Sequence, residues 1–203
     1  MSIEFLLFLL AAYLIGSVNP ATLLTHALVK RNIRDFGDGN PGSTNVFLHV
    51  NKVSGIFVFF LDAFKGFIPL FIASREGLGG LQLAIIGSLA IVGHNFPIFH
   101  GFKGGTGISS LTGGLIFFAP HTTVELIIII FSIIFVLHLL KRKIPLNYSA
   151  LEVGEAIGFI SMLCLVFVMR DYTLRAYMLF STLVVVIRRF EKVEQIARKV
   201  LSV

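Results

Sequence analysis

Residues 93 to 107, Gly-His-Asn-Phe-Pro-Ile-Phe-His-Gly-Phe-Lys-Gly-Gly-Thr-Gly, concentrate the groups in this chain that are able to do chemistry. Gly104, Gly105 and Gly107 beside Lys103 offer backbone amides that could turn inward next to a fixed positive charge, the makings of a phosphate or carboxylate cradle. His94 and His100 flank the lysine and are candidates for hydrogen bonding or proton transfer. A plainer reading has the glycines easing helix packing in a membrane and Lys103 anchoring at its interface. A second donor-rich stretch, Gly-Asp-Gly-Asn-Pro-Gly-Ser-Thr-Asn at 37 to 45, supplies Asn40, Gly42, Ser43, Thr44 and Asn45, which suit phosphate and hydroxyl oxygens if the stretch is more than a connector. Asp62 and Lys65 lie three apart inside an apolar run, on one helix face, where each offsets the other's burial. They read equally well as a structural ion pair.

Several chemistries are excluded. The chain has no G-x-S-x-G elbow, no Walker-type G-x-x-x-x-G-K-[ST], and no His followed four residues later by Asp. Any acyl or phosphoryl transfer would therefore work by positioning and charge stabilisation, without a covalent nucleophile. No second metal-type ligand stands at useful spacing from the histidines, so no metal site and no cofactor are expected. The single cysteine, Cys164, allows no intrachain disulfide.

The elements that must position these groups are membrane spans. In 203 residues, 56% hydrophobic content, 21 Phe and a mean hydropathy of +0.89 exceed what a soluble domain carries. The net charge of +6 would suggest nucleic acid in a soluble protein. Here the basic residues cluster between apolar runs as topology signals, and no nucleic-acid partner is expected. The start, Met-Ser-Ile-Glu, lacks the basic residues of a secretory signal and leads into a retained first span.

Apolar runs fall at 3 to 29 with a kink at Pro20, 53 to 73, 81 to 99, 108 to 119, 122 to 140, about 150 to 169, and 174 to 187, followed by a basic amphipathic tail. The stretch from 30 to 52 reads as a loop. The run at 108 to 119 decides between six spans and seven. Leaving out Lys65, seven spans place 13 Lys and Arg on one side and 3 on the other, whereas a re-entrant run would place 7 and 9. The positive-inside rule selects seven spans, N-terminus outside and C-terminus cytoplasmic, in a single all-α domain over residues 1 to 203 of a multi-pass inner-membrane protein. Both donor-rich stretches then share the cytoplasmic face.

Three stretches in order, Gly-Asp-Gly-Asn-Pro-Gly-Ser-Thr-Asn-Val at 37 to 46, Leu-Asp-Ala-Phe-Lys-Gly-Phe-Ile-Pro at 61 to 69 and the segment at 93 to 107, together resemble the PlsY-type acyl-phosphate-dependent glycerol-3-phosphate acyltransferases. Tyr-Leu-Ile-Gly-Ser at 13 to 17 is similar to that family's first span. The resemblance implies transfer of a fatty acyl group from acyl phosphate to the 1-hydroxyl of glycerol 3-phosphate, giving lysophosphatidate for phospholipid synthesis, without acyl-CoA or metal. It implies that Asn40, Gly42, Ser43, Thr44 and Asn45, with Asp62, Lys65 and Gly66, lean toward glycerol phosphate. His94, Lys103, Gly104, Gly105 and Gly107 lean toward acyl phosphate, with His94 and Lys103 the expected catalytic pair. The chain departs from the family pattern at Asp38, where serine is usual, at Leu48, near which an arginine is usual, and at Thr106, where lysine is usual. These departures leave open a diverged acylation, on another acceptor or reduced to lipid binding. A small transporter is the remaining alternative, disfavoured because the hydropathy shows no inverted repeat.

Overall fold

The computed structural model describes residues 2–140 and 169–201, with Ile160, Cys164 and Phe167 as isolated points. The Lys141-Arg142-Lys143 cluster and most of the expected span at 150 to 169 lie outside the described residues. Within them the chain is helical and has no strand.

α1 (Ile3–Ser17) and α2 (Pro20–Val29) replace the single kinked span expected from sequence. The chain leaves helical geometry at Val18 and Asn19, because the Asn19 side chain caps α2, its Oδ1 accepting from Thr22 N–H at 2.7 Å, and Pro20 takes the first helical position, where no N–H is needed. Asn19 Nδ2 donates to the Pro41 carbonyl at 3.1 Å, tying the break to the donor-rich loop. That loop is also shorter than expected. A 3₁₀ turn at Ile33–Asp35 and a short helix, α3 (Ser43–His49), occupy much of the 30 to 52 segment.

α4 (Lys52–Arg75) and α5 (Leu81–Asn95) follow, then α6 (Ile108–Phe118), α7 (Pro120–Leu140) and α8 (Tyr172–Leu201). α8 joins the last apolar run and the basic tail into one 30-residue helix, roughly 45 Å long at 1.5 Å per residue. Among the described residues three stretches, Ile3–Val29, Lys52–Arg75 and Leu81–His100, are long and apolar enough to cross a membrane. Large apolar side chains such as Phe57, Phe60, Phe64 and Phe71 on α4 and Ile128, Phe131 and Phe135 on α7 point outward, as lipid-facing residues do.

Without a hydrophobic drive between helices in lipid, close approach depends on small residues. Gly16 of α1 lies against the Ala90 backbone of α5, and Gly93 of α5 against the Tyr13 backbone of α1. Gly66 of α4 and Gly113 of α6 make the same reciprocal contact, with the Ser110 and Ala63 carbonyls respectively. Fully buried Tyr177 of α8 fits against Gly87 and Gly114, its hydroxyl donating to the Leu111 carbonyl at 3.1 Å. These seams bring α1, α4, α5 and α6 together around the site.

Candidate functional site

The site is built upward from a buried ionic floor. Lys65 Nζ lies 2.8 Å from Asp62 Oδ1, and His94 Nδ1 lies 3.5 Å from the same oxygen. Asp62, Lys65 and His94 are 1%, 7% and 3% exposed. The lysine also donates to the carbonyls of Gly16 at 3.2 Å and Val18 at 2.6 Å, which the α1–α2 break has left without helical partners. A positive charge at the end of α1 is favourable to that helix's dipole. His94 Nδ1 is further approached by Lys65 Nζ at 3.1 Å and the Ser110 hydroxyl at 3.3 Å. An ammonium donates and never accepts, so Nδ1 takes a proton-free role toward Lys65 and the ring's hydrogen sits on Nε2. Nε2 points at Gly105, where a side chain would strike the ring. Nδ1 of His94 is therefore engaged within the fold, while Nε2 is packed against Gly105.

Above this floor is a cavity of about 480 Å³, counted to its open mouth, lined by Asn40, Gly42, Ser43, Thr44, Phe59, Asp62, His94, Thr106, Gly107, Ile108 and Ser109. One wall is the Asn40–Gly42 bend with the first turn of α3. The other is the first turn of α6, whose leading N–H groups have no intrahelical acceptor. The Ser43 and Ser109 hydroxyls stand 3.5 Å apart between the walls. Hydroxyl, amide and backbone N–H donors thus face one carboxylate, a pattern that suits a polyol phosphate, donors for phosphate oxygens and Asp62 for hydroxyls.

The strap from Phe96 to Gly107 differs from the cradle expected from its glycines. Gly104 N–H donates to the Asn95 carbonyl at 3.1 Å and Gly105 N–H to the His94 carbonyl at 3.2 Å. These two amides close the end of α5 and are not available to a ligand. The donor set for an anion moves further along the chain, to Thr106 and the start of α6. Lys103 is exposed on the strap and is not among the cavity-lining residues. Its backbone carbonyl accepts from Arg34 Nη2, and the Gly104 carbonyl accepts from Arg188 Nη2 at 2.8 Å.

Of the residues singled out from sequence, Asn40, Gly42, Ser43, Thr44, Asp62, His94 and Gly107 line the cavity. The other buried ones serve its frame. Asn45 Nδ2 gathers the Ile33, Phe36 and Asn40 carbonyls at 3.2, 2.9 and 3.0 Å, so its amide organises the loop. Lys65 holds the floor, Gly66 seats α6, and Gly104 and Gly105 seat the strap. His100 ends a 3₁₀ turn within the strap. Asp38, which stands where the family pattern has serine, carries a negative charge in this loop. Its carboxylate accepts the Asn40 N–H at 2.9 Å in an exposed turn, so it sits next to a lining residue without itself lining the cavity. Leu48 is exposed on α3, also away from that lining, whereas Thr106 is part of it. Ser109, Ser110, Arg34 and Arg188 carry no local motif and escape a sequence reading. Burial and then the Arg188 guanidinium push Arg34 below the ordinary arginine value.

The family model described as glycerol-3-phosphate acyltransferase matches residues 6–199. A glycerol-3-phosphate acyltransferase of Streptococcus sanguinis (strain SK36) is 34% identical over 178 residues, 88% of this chain and 78% of that protein. One of Streptococcus pneumoniae (strain CGSP14) is 31% identical over 193 residues, 94% of this chain and 89% of that one. Among solved structures, PlsY (YgiH), an integral membrane glycerol 3-phosphate acyltransferase in its glycerol 3-phosphate form, superposes with a TM-score of 0.74 at 28% identity, covering 97% of this chain and 93% of that one. Its lysophosphatidic acid form gives 0.71 at 27% identity, with the same coverage.

Proposed function

We propose, for a chain that belongs to the glycerol-3-phosphate acyltransferase family, that a fatty acyl group passes from acyl phosphate to the 1-hydroxyl of glycerol 3-phosphate in the cavity between α3 and α6. The chain is a membrane acyltransferase of phospholipid synthesis. The observation that carries the reading is the cavity itself, with hydroxyl and amide donors on both walls and a single carboxylate, Asp62, on its floor.

The hydroxyl oxygen of the acceptor attacks the acyl carbon, the bond from that carbon to the phosphate oxygen breaks, and inorganic phosphate departs with the hydroxyl proton. A phosphate leaving group is good enough that no protein nucleophile is needed. Asp62, paired with Lys65, accepts hydrogen bonds from the glycerol hydroxyls and orients the attacking oxygen. Ser43, Thr44, Asn40, Thr106 and Ser109, with the first N–H groups of α6, hold phosphate oxygens. Lys103 attracts the anionic donor from the exposed strap, and His94 Nδ1, accepting from Lys65 and Ser110, holds those two in place. The acyl chain lies against the Phe-rich outer faces of the helices, and membrane lipid surrounds them.

A single domain of seven spans, with the N-terminus outside and the cavity opening to the cytoplasm of the inner membrane, completes the reading. Two contacts support a crossing α6. Its far end, at Leu115 and Ala119, shares a small apolar pocket with Met169 and Leu174 at the start of α8. Near the middle of α8, Arg188 reaches the strap that leads into α6. α6 therefore runs alongside the first half of α8.

Purified protein is expected to release phosphate from long-chain acyl phosphate and form lysophosphatidate only when glycerol 3-phosphate is present. Absence of both products would overturn the proposal. Product formed equally well from other polyol phosphates would show that the acceptor is different.

A further inference from the structure

The strap between α5 and α6 carries a cost and two fastenings. Gly101 and Phe102 both have φ near 60°, the left-handed region, and for Phe102 that conformation is one a side chain resists. Such strain persists only where surroundings over-determine it. Nearby, Arg34, from the turn after α2, donates to the Lys103 carbonyl, and Arg188, from α8, donates to the Gly104 carbonyl, across 69 and 84 residues of sequence. The Arg188 guanidinium also lies over the Phe96 ring at 5.6 Å from its centroid, and Tyr13 Oη donates to the Phe96 carbonyl at 2.9 Å, so the root of the strap is held too.

What the strap holds follows directly from its next residues. Gly104 and Gly105 hydrogen-bond the carbonyls of Asn95 and His94, and Thr106, Gly107, Ile108 and Ser109 form one wall of the cavity. A strap free to lift would take that wall with it and uncover His94, against whose ring Gly105 is packed. Neither arginine lines the cavity, so neither is placed to bind substrate directly. A guanidinium suits this task, since its planar fork can serve a carbonyl and stack on a ring at once.

We propose that Arg34 and Arg188 are a pair of positioning residues that clamp consecutive carbonyls of the strap and so set the anion-binding wall at the start of α6. The catalytic consequence rests on the proposed acyl transfer; the clamp itself does not. The clamp also joins three distant parts of the chain, the turn after α2, the α5–α6 strap and α8, just ahead of the Thr106–Ser109 wall of one cavity. Both guanidiniums are cationic, but the clamp acts through the carbonyls.

The test compares full-length wild-type protein with R34Q, R188Q, R34K, R188K and R34Q/R188Q. Amide hydrogen exchange over residues 101–107 reads the clamp without reference to activity. Either glutamine variant is expected to speed exchange at Gly104 and Gly105 by about tenfold or more, and the lysine variants to recover part of that protection. Exchange in the middle of α5 and α8 should be unchanged. In the acyl-transfer assay kcat should fall about tenfold or more in R188Q, with a smaller change in the KM for glycerol 3-phosphate. Unchanged strap exchange in both glutamine variants would overturn the clamp. So would a rise in KM alone that added salt reproduces in the wild type, since that marks simple charge attraction. If a glutamine variant loses protection throughout α5 and α8, it has unfolded, and the lysine variant then decides: wild-type strap exchange supports the clamp if activity is retained, and overturns it if activity is lost. A wild-type protein without acyl transfer would remove the proposed reaction while leaving the exchange result to judge the clamp.

Discussion

Lys65 illustrates how a single residue can be doubly committed. Its ammonium has Asp62, two backbone carbonyls of the broken first span and His94 Nδ1 within hydrogen-bonding reach, so it compensates a buried carboxylate and a helix end together. Sequence spacing put Asp62 and Lys65 on one helix face, and the ion pair between them is as expected. The two carbonyls could not be foreseen, because they exist only once α1 stops at Ser17. The same applies at Gly104 and Gly105. Their composition suggested free amides, but the end of α5 falls where its last carbonyls claim them. Composition shows which donors exist; only the fold decides which are already used. Replacing Lys65 with methionine leaves Asp62 buried without its countercharge, a change that costs about 3–5 kcal/mol in comparable buried pairs. The K65M variant should therefore melt well below wild type in detergent, and K65M/D62N should recover part of the loss while remaining inactive. A K65M melting curve that overlays the wild type would refute the capping role.

At the scale of elements, the α4–α6 seam sets the site's width. α6 approaches α4 closely enough for Ser110 to reach His94 because Gly66 and Gly113 each receive the other helix's backbone where a side chain would be. Adding a methyl at Gly113 drives it into the Ala63 carbonyl, and overpacking of this kind costs about 1–3 kcal/mol. Since α6 carries the Thr106–Ser109 wall, G113A is expected to lower kcat/KM for acyl transfer by about tenfold or more. G79A is the control, because Gly79 is exposed in the α4–α5 turn with nothing within 4 Å of an added methyl. Equal activity of the two variants would mean that the seam does not set the cavity. Hydropathy located the long helices well, since each must satisfy its own backbone in lipid. α3 was hidden because its seven residues begin Ser-Thr-Asn, which favour turns and caps, and are too few to show a helical period. The same preference for capping turned the expected kink at Pro20 into a complete break at Asn19.

The whole molecule is polarised. α5 ends, α6 begins and α8 reaches Arg188 at the end where the cavity opens, and the turn after α2 brings Arg34 to the same place. The opposite end holds the α4–α5 turn and the start of α8, at Tyr172. In the proposed seven-span arrangement the 13-to-3 distribution of Lys and Arg puts the cavity end in the cytoplasm, which is also where a water-soluble anionic acceptor and a phosphate product can be exchanged. The alternative, a re-entrant α6, would return Tyr172 to the cytoplasmic side and turn the tail outward. Tyr172 is exposed, so it can report the difference. In a C164S background, Y172C should react with a membrane-impermeant maleimide added to intact cells, as should G79C, whereas D38C should react only in inside-out vesicles. Labelling of G79C but not Y172C from outside would establish six spans and a re-entrant α6. Labelling of D38C from outside would invert the orientation and place the cavity on the wrong side for cytoplasmic acyl transfer.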